Sequence, residues 1–357
     1  MDGRIRHLDW MKGVAILCMV QVHTAAALPT GPVDINHPLA FLAAAIGGMA
    51  APLFVTASGF GIHISASKKS RDAKGWVGWI VPRALVLVLF QVVVNLLFHV
   101  NHGGSFHATT PGVLTLFAAS AIIAPFTLKL GSYPRASLLV ALVIWPTLFP
   151  GYIGSDLSWS ERIASDGLVE WSERLLLNGT YPLLPWFSYV LLGSMLADLD
   201  GTEFPAKASV TIGLLFTLAT FAQSWSKGIP WALTEGEAVL TFFPASTAFI
   251  GVSMTIVVLV KITLSKLEMS LGPKPPALME KLGSAGRMSL TVYVGHFALL
   301  GAFVGFYQGG VFPLAGSLAI TLIHTVAWIP LVSYYEGRFA HLSPEGMIRA
   351  VNSRLSK

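Results

Sequence analysis

The chain has 357 residues, 54% of them hydrophobic and 11% charged, with a mean hydropathy of +0.67 and a formal net charge of +5. Soluble domains carry about 25% charged residues, so this composition excludes an ordinary water-soluble globule and requires the bilayer as solvent. The single cysteine, Cys18, excludes an intramolecular disulfide.

A helix needs about 20 apolar residues to cross a hydrocarbon core about 30 Å thick. Windows of that size fall near 13–30, 38–65, 81–99, 112–130, 136–151, 180–198, 208–226, 238–260, 287–307 and 312–335. The expected fold is therefore an all-α polytopic membrane protein, a bundle of about ten transmembrane helices forming a single domain over 1–357. The fifth stretch is short and bounded by prolines. Asp, Glu, Lys and Arg keep to the margins of these stretches. The titratable groups left within them are mostly histidines.

The first stretch opens Leu8-Asp9-Trp10-Met11-Lys12-Gly13 and ends Ala25-Ala26-Ala27, which resembles a signal-peptidase site. It is expected to stay as a helix, because it carries residues of chemical interest. The first loop after it holds Asp34, Asn36 and His37 between Pro29 and Pro38; the next, Ser67 to Gly75, holds Lys68, Lys69, Arg71 and Lys74. His99, His102 and His107 follow in a loop with a Gly-Gly pair. Their spacing does not fit the His-Glu-x-x-His metal motif and no cysteine accompanies them, so no metal is expected. Gly151 to Gly179 mixes five acidic residues with Arg162 and Arg174, and its apolar residues recur at roughly helical spacing. Residues 152–179 read as a surface helix or lid, against the plainer reading of a solvated loop.

Basic residues fix orientation, because positive loops resist translocation. With both termini cytoplasmic, all but Arg162, Arg174 and Lys227 of the 23 Lys and Arg fall on the inner side. The net charge is thus a topological bias and does not point to nucleic acid.

On a helix, Asp9, Lys12, Ile16, His23 and Ala27 share one face. Asp9 and His23 are about 21 Å apart along that face at 1.5 Å per residue, so a carboxylate stands near the inner surface and an imidazole near the outer one. A neutral imidazole, with an ordinary pKa of about 6.5, suits a general base acting on an amine or hydroxyl arriving from outside. His37 is restricted by the following Pro38, and Asp34 is placed to orient it. The plain reading of both is ordinary hydrogen-bonded histidine. His63, His296 and His324 read as packing residues, and Ser58-Gly59-Phe60-Gly61 as a helix–helix contact. No P-loop and no Gly-x-Ser-x-Gly elbow is present.

Several motifs share an order along nearly the whole chain. They are Leu8-Asp9-Trp10-Met11-Lys12-Gly13, Ala51-Pro52-Leu53-Phe54 with Ser58-Gly59, Gly112-Val113-Leu114, Tyr181-Pro182-Leu183-Leu184-Pro185-Trp186, Gly286-Arg287-Met288-Ser289 through Tyr293, and Ser343-Pro344-Glu345 with Arg349. In that order they resemble the heparan-α-glucosaminide N-acetyltransferase family and, more distantly, the wider transmembrane acyltransferase superfamily. The resemblance implies transfer of an acetyl or other short acyl group from cytosolic acetyl-CoA to a glycan or amino-sugar acceptor across the membrane. It implies that His37 or His23 is catalytic, with Asp34 in support. Lys12 stands where the family has Arg, which keeps the charge but loses the bidentate fork. Thr115 and Leu116 replace a frequent Gln and Arg.

The scheme that follows has donor phosphates held by Lys12, Lys68, Lys69, Arg71, Arg83 and Arg287. Asp9 and Asn36 contact substrate. The expected partners are acyl-CoA, the acceptor, the bilayer of the cell membrane and a second copy of the chain. Two other readings compete: a proton-coupled transporter of a small solute or lipid-linked precursor, and a non-catalytic scaffold. A histidine proton relay usually recruits intramembrane Asp or Glu, and CoA binding separates the enzyme from both.

Overall fold

A computed structural model describes residues 4–31, 37–68, 73–97, 106–307 and 309–355, apart from the side chains of 68, 73, 74 and 352–355. Nearly everything described is helix. In chain order the helices are α1 (Arg6–Ala27), α2 (Pro38–Gly48), α3 (Ala50–Lys68), α4 (Ala73–Leu97), α5 (Val113–Thr127) and α6 (Ser132–Leu148). Then come α7 (Trp159–Ile163), α8 (Gly167–Glu173), α9 (Leu183–Asp198), α10 (Phe204–Ala208) and α11 (Leu214–Lys227). After two short strands, β1 (Ala232–Glu235) and β2 (Leu240–Phe243), follow α12 (Thr247–Leu271), α13 (Ala277–Arg287), α14 (Ser289–Phe306), α15 (Leu314–Phe339) and α16 (Pro344–Leu355).

Among the described residues seven helical stretches are long and apolar enough to cross a membrane, and α5 and α9 are shorter apolar helices. The protein is an integral membrane protein of helical class. The second apolar stretch is broken at Met49, where α2 gives way to α3. The eighth stretch begins later than its apolarity suggests. Leu240–Phe243 form a strand beside β1, and the helix starts at Thr247. Ser246 explains the start: its hydroxyl accepts from Phe249 N at 3.1 Å, a side-chain cap that Pro244 cannot offer.

The chain packs as two compact units. One comprises Met1–Phe54, Val92–Thr109 and Leu264–Lys357; the other comprises Val55–Gln91 and Thr110–Thr263.

In the first unit α1 is central and packs on α13, α15, α14 and α2. The α1–α13 contact is backbone against backbone. A Cβ added at Gly286 would lie 1.9 Å from Asp9 O, and one at Gly13 would lie 2.3 Å from Leu282 O. Small residues at facing positions let two helices approach this closely. The N-terminal end of α1 is tied down by Glu268, which accepts from His7 N at 3.0 Å, His7 Nδ1 at 2.6 Å and Arg6 Nε at 3.1 Å. Beyond its other end, Phe312 N donates to Pro29 O at 2.8 Å. Glu345 caps α14, accepting from Leu290 N at 2.7 Å, Thr291 N at 3.0 Å and Thr291 Oγ1 at 2.6 Å. Its negative charge suits the positive end of the helix dipole.

In the second unit α9 packs on α6 and α5. Gly59 and Gly193 bring α3 against α9, since a Cβ at either would fall within about 2.2 Å of a facing carbonyl (Val190 O or Thr56 O). The packing role expected of the Ser58–Gly61 segment is the one observed for Gly59. Gln91 Oε1 accepts from Leu114 N at 2.9 Å and so satisfies the start of α5. Residues 152–179 are helical in pieces: α7, α8 and a π-helical turn over Arg174–Asn178. Two buried arginines staple this segment. Arg162 donates to Asn178 O at 2.8 Å and Gly154 O at 2.5 Å, and Arg174 donates to Ala164 O at 3.1 Å and Asn178 Oδ1 at 2.8 Å.

Candidate active site

Two histidines from two helices meet in the first unit. His23, on α1, lies with its Nδ1 2.9 Å from Nε2 of His296 on α14. The two rings are within 3° of one plane and their centroids are 5.2 Å apart. That separation at that N···N distance describes rings joined edge to edge in line, rather than face to face. Phe297 packs on both, at 4.5 Å from His23 and 4.3 Å from His296. Tyr293 stands edge-on to both. His296 is fully buried and its Nδ1 lies 2.9 Å from Val292 O, one turn back on α14.

A parallel chain runs one residue further along α1. Trp328 Nε1 donates to His324 Nε2 at 3.1 Å, both on α15. An indole nitrogen only donates, so His324 accepts there and carries its proton on Nδ1. That proton goes to Thr24 Oγ1 at 2.8 Å, and Thr24 passes its own to Val20 O at 2.6 Å. Every polar atom in this second chain has a partner, as burial requires. Two adjacent residues of α1 thus each meet an imidazole from another helix.

His37 is the N-cap of α2, held in extended geometry (φ −67°, ψ 119°) by the proline that follows. Its carbonyl accepts from Phe41 N at 3.0 Å. Its Nδ1 is buried and has no hydrogen-bond partner among the described residues. Asp34 and Asn36, expected to support His37 and to bind substrate, lie outside the described residues, as do Lys69 and Arg71. The side chain of Lys68 is also outside them.

The remaining expected site residues are spread over both units. Asp9 pairs with Arg4 at 2.6 Å near the start of α1, and Lys12 is half-buried one turn on. Arg287, ending α13, makes a bidentate pair with Glu336, both bonds 2.5 Å, and donates to Ser284 Oγ at 2.9 Å. The hydrogen bonds to Glu336 hold its pKa above the usual value. A phosphate reaching Arg287 must therefore exchange with that carboxylate. In the second unit Arg83 lies over the Trp79 ring, 5.8 Å from its centroid.

Two further polar ties in the second unit were not visible in the sequence. His63 Nε2 donates to Asp198 at 2.9 Å and its Nδ1 faces Ser194 Oγ at 2.9 Å. Arg135, buried on α6, donates to Ser194 Oγ at 2.6 Å and to Asp198. Lys261 pairs with Asp200 and lies over the Phe60 ring. Arg135 and Lys261, which the charge count expects on the inner side, are thus buried ion-pair partners. His296 and His324 were read as packing residues. One signal pointed to them: a polar group within a span is costly, and the ninth and tenth stretches each carry one histidine.

The fold is that of a helical membrane protein, with imidazoles, groups able to take up and give up protons, hydrogen-bonded beside its first helix. The heparan-alpha-glucosaminide N-acetyltransferase catalytic family model matches residues 4–227. The chain belongs to that family of membrane acyltransferases. Compared with individual curated proteins, the chain matches none. The matched region takes in His23 and His37 but stops before His296 and His324. Among the described residues no group of three His, Cys, Asp or Glu side chains could hold a metal.

Proposed function

We propose that this protein transfers an acetyl or other short acyl group from cytosolic acyl-CoA to an amine or hydroxyl of a glycan or amino sugar at the outer face of the cell membrane. The observation that carries this reading is the family match over residues 4–227, which includes both candidate histidines. The apolar stretches and the basic bias support ten spans with both termini inside. On that topology the outer end of α1 and the head of α2 meet the acceptor's side.

The reaction asks little of the protein beyond positioning and proton transfer. The acceptor's nitrogen or oxygen attacks the thioester carbonyl, a C–N or C–O bond forms and the C–S bond breaks. The acceptor's proton goes to an imidazole, and CoA leaves as the thiolate, which a proton then neutralises. Of His37 and His23, one removes the acceptor's proton and the other orients the acceptor or serves the leaving group. The Nδ1 of His37, buried and without a partner among the described residues, favours a role toward a ligand over one in packing. Arg83 and the bases of the Ser67–Gly75 loop, all in the second unit, supply positive charge for the donor's phosphates.

The test is incubation of detergent-purified protein with radiolabelled acetyl-CoA and glucosamine, comparing wild type with His37→Ala and His23→Ala. Label transfer that falls on the order of 100-fold or more in either variant, with CoA binding kept, is the expected result. Absence of both turnover and CoA binding in folded wild-type protein would overturn the reading in favour of the transporter.

A further inference from the structure

The last helix, α16, has one side against the protein and another that is exposed. It follows α15 after a 3-10 turn over Ala340–Leu342. Glu345 in its first turn reaches back to cap α14, and Gly346 is buried, with a Cβ there falling 2.5 Å from Ala340 O. Met347 and Val351, one turn apart on the helix, are exposed instead, at 44% and 37%. Phe339 and Leu342, just before the helix, are exposed at 40% and 63%. Large apolar side chains gathered at a surface mark a contact with something else. These continue the exposed apolar residues of α15, Leu322, Val326 and Leu331. Those face acyl chains, because α15 is long and apolar enough to cross a membrane.

Charge points the same way. Elsewhere in this unit Arg4, Arg6 and Arg287 are paired with Asp9, Glu268 and Glu336. Arg338 and Arg349, both exposed, meet no carboxylate among the described residues. Arg338 donates to Tyr334 Oη at 2.9 Å and lies over that ring, and Arg349 donates to Ala340 O at 3.3 Å. A guanidinium has five N–H donors, so most of each fork is left for an anion. Arg354 and Lys357 follow in the sequence, and the carboxylate of Glu345 is already engaged by α14.

We propose that α16 lies in the bilayer interface, with Met347 and Val351 among acyl chains and Arg338 and Arg349 on the phosphates of anionic phospholipids. The leaflet is the one at which α15 ends, the inner one on the topology proposed above. An apolar side flanked by bases is the composition of helices that lie in the interface plane, and bases next to a span attract anionic lipid. Their long stems let the guanidinium groups reach headgroup level while the helix lies lower. A second copy of the chain fits this face less well, since an isologous contact would set its arginines against their own copies. The proposal rests on the membrane character of the chain and is independent of the acyltransferase reading.

The test uses the full chain in phosphatidylcholine vesicles containing phosphatidylglycerol. In a Cys18→Ser background a fluorophore is attached at Val351→Cys and, for comparison, at Lys274→Cys. Quenching by nitroxide on lipid acyl chains reads contact with the bilayer, and quenching by iodide reads contact with water. Nitroxide-labelled phosphatidylglycerol against phosphatidylcholine, at equal mole fraction, reads which headgroup gathers at the label. The label at 351 is expected to be quenched by lipid and shielded from iodide, with the reverse at 274. Phosphatidylglycerol is expected to be preferred at 351, and Arg338→Gln and Arg349→Gln each to lower that preference by up to about fivefold. Arg338→Lys and Arg349→Lys, which keep the charge, keep the preference. If Arg349→Gln does not fold, Arg338→Gln and the two lysine variants carry the comparison. Iodide access at 351 equal to that at 274 would overturn the proposal, as would equal quenching by the two lipids or a preference unchanged in the glutamine variants. Fluorescence at 351 that changes on dilution with unlabelled protein would overturn it in favour of a second copy.

Discussion

At the residue scale, the tightest demands on side-chain identity come where backbones touch. Gly286 on α13 sits against the α1 backbone so closely that a methyl group would overlap Asp9 O, and a backbone atom cannot step aside as a flexible side chain can. Gly286→Ala is expected to lower stability by about 2–3 kcal/mol, read as a lower thermal midpoint in detergent. Gly305, on α14, has open space where its Cβ would be. Gly305→Ala is expected to be neutral or to stabilise by about 0.5–1 kcal/mol through helix propensity. Equal effects at the two positions would contradict the close α1–α13 approach. The histidines pose the complementary case. Nothing local distinguishes His23 from His63, yet one bonds another histidine and the other joins an arginine, a serine and an aspartate.

At the element scale, helix ends are where sequence and tertiary structure cooperate. Glu345, fifty-five residues from Leu290, caps α14 with three hydrogen bonds. Glu345→Ala is expected to cost about 1–2 kcal/mol and to speed hydrogen exchange first at Leu290 and Thr291, whereas uniform exchange along α14 would argue against a capping role. The 152–179 segment has a local cap instead. Ser158 and Glu161 form a capping box at the start of α7, and hydrogen bonds from Ser158 hold the Glu161 pKa below its usual value. A carboxylate depressed in the folded state stabilises fully above its unfolded pKa, about 4.3, and loses that contribution as pH falls through the folded value. Protection from exchange at the start of α7 is therefore expected to fall below about pH 4, and to depend less on pH there in Ser158→Ala, which keeps only the bond from the backbone N–H of residue 158 to Glu161.

At the scale of the whole molecule, the apolar stretches of the sequence reappear as helices nearly one for one. The second is split at Met49 and the eighth starts at Thr247 after a strand. The charge bias predicts an orientation with both termini inside, and labelling tests it. In a Cys18→Ser background, Leu168→Cys on α8 is expected to react with a membrane-impermeant maleimide in intact cells. Lys274→Cys, between α12 and α13, is expected to react only after permeabilisation. Both residues are exposed. The opposite pattern would invert the topology and put the histidines of α1 on the wrong side for an external acceptor.

The sequence by itself determined the membrane character, the helical class and the approximate place of each apolar stretch. Apolarity over about 20 residues is a local sum, and the cost of burying polar groups in lipid leaves helices as the solution. It also carried the family motifs and singled out His23 as a polar group in an expensive place. Only the tertiary structure decided what His23 is bonded to, because its partner lies 273 residues away on another helix. The same holds for Arg135 and Lys261, which charge counting assigned to the inner side and packing turned into buried ion-pair partners. A tautomer is a property of a hydrogen-bond network, and no window along the chain contains one.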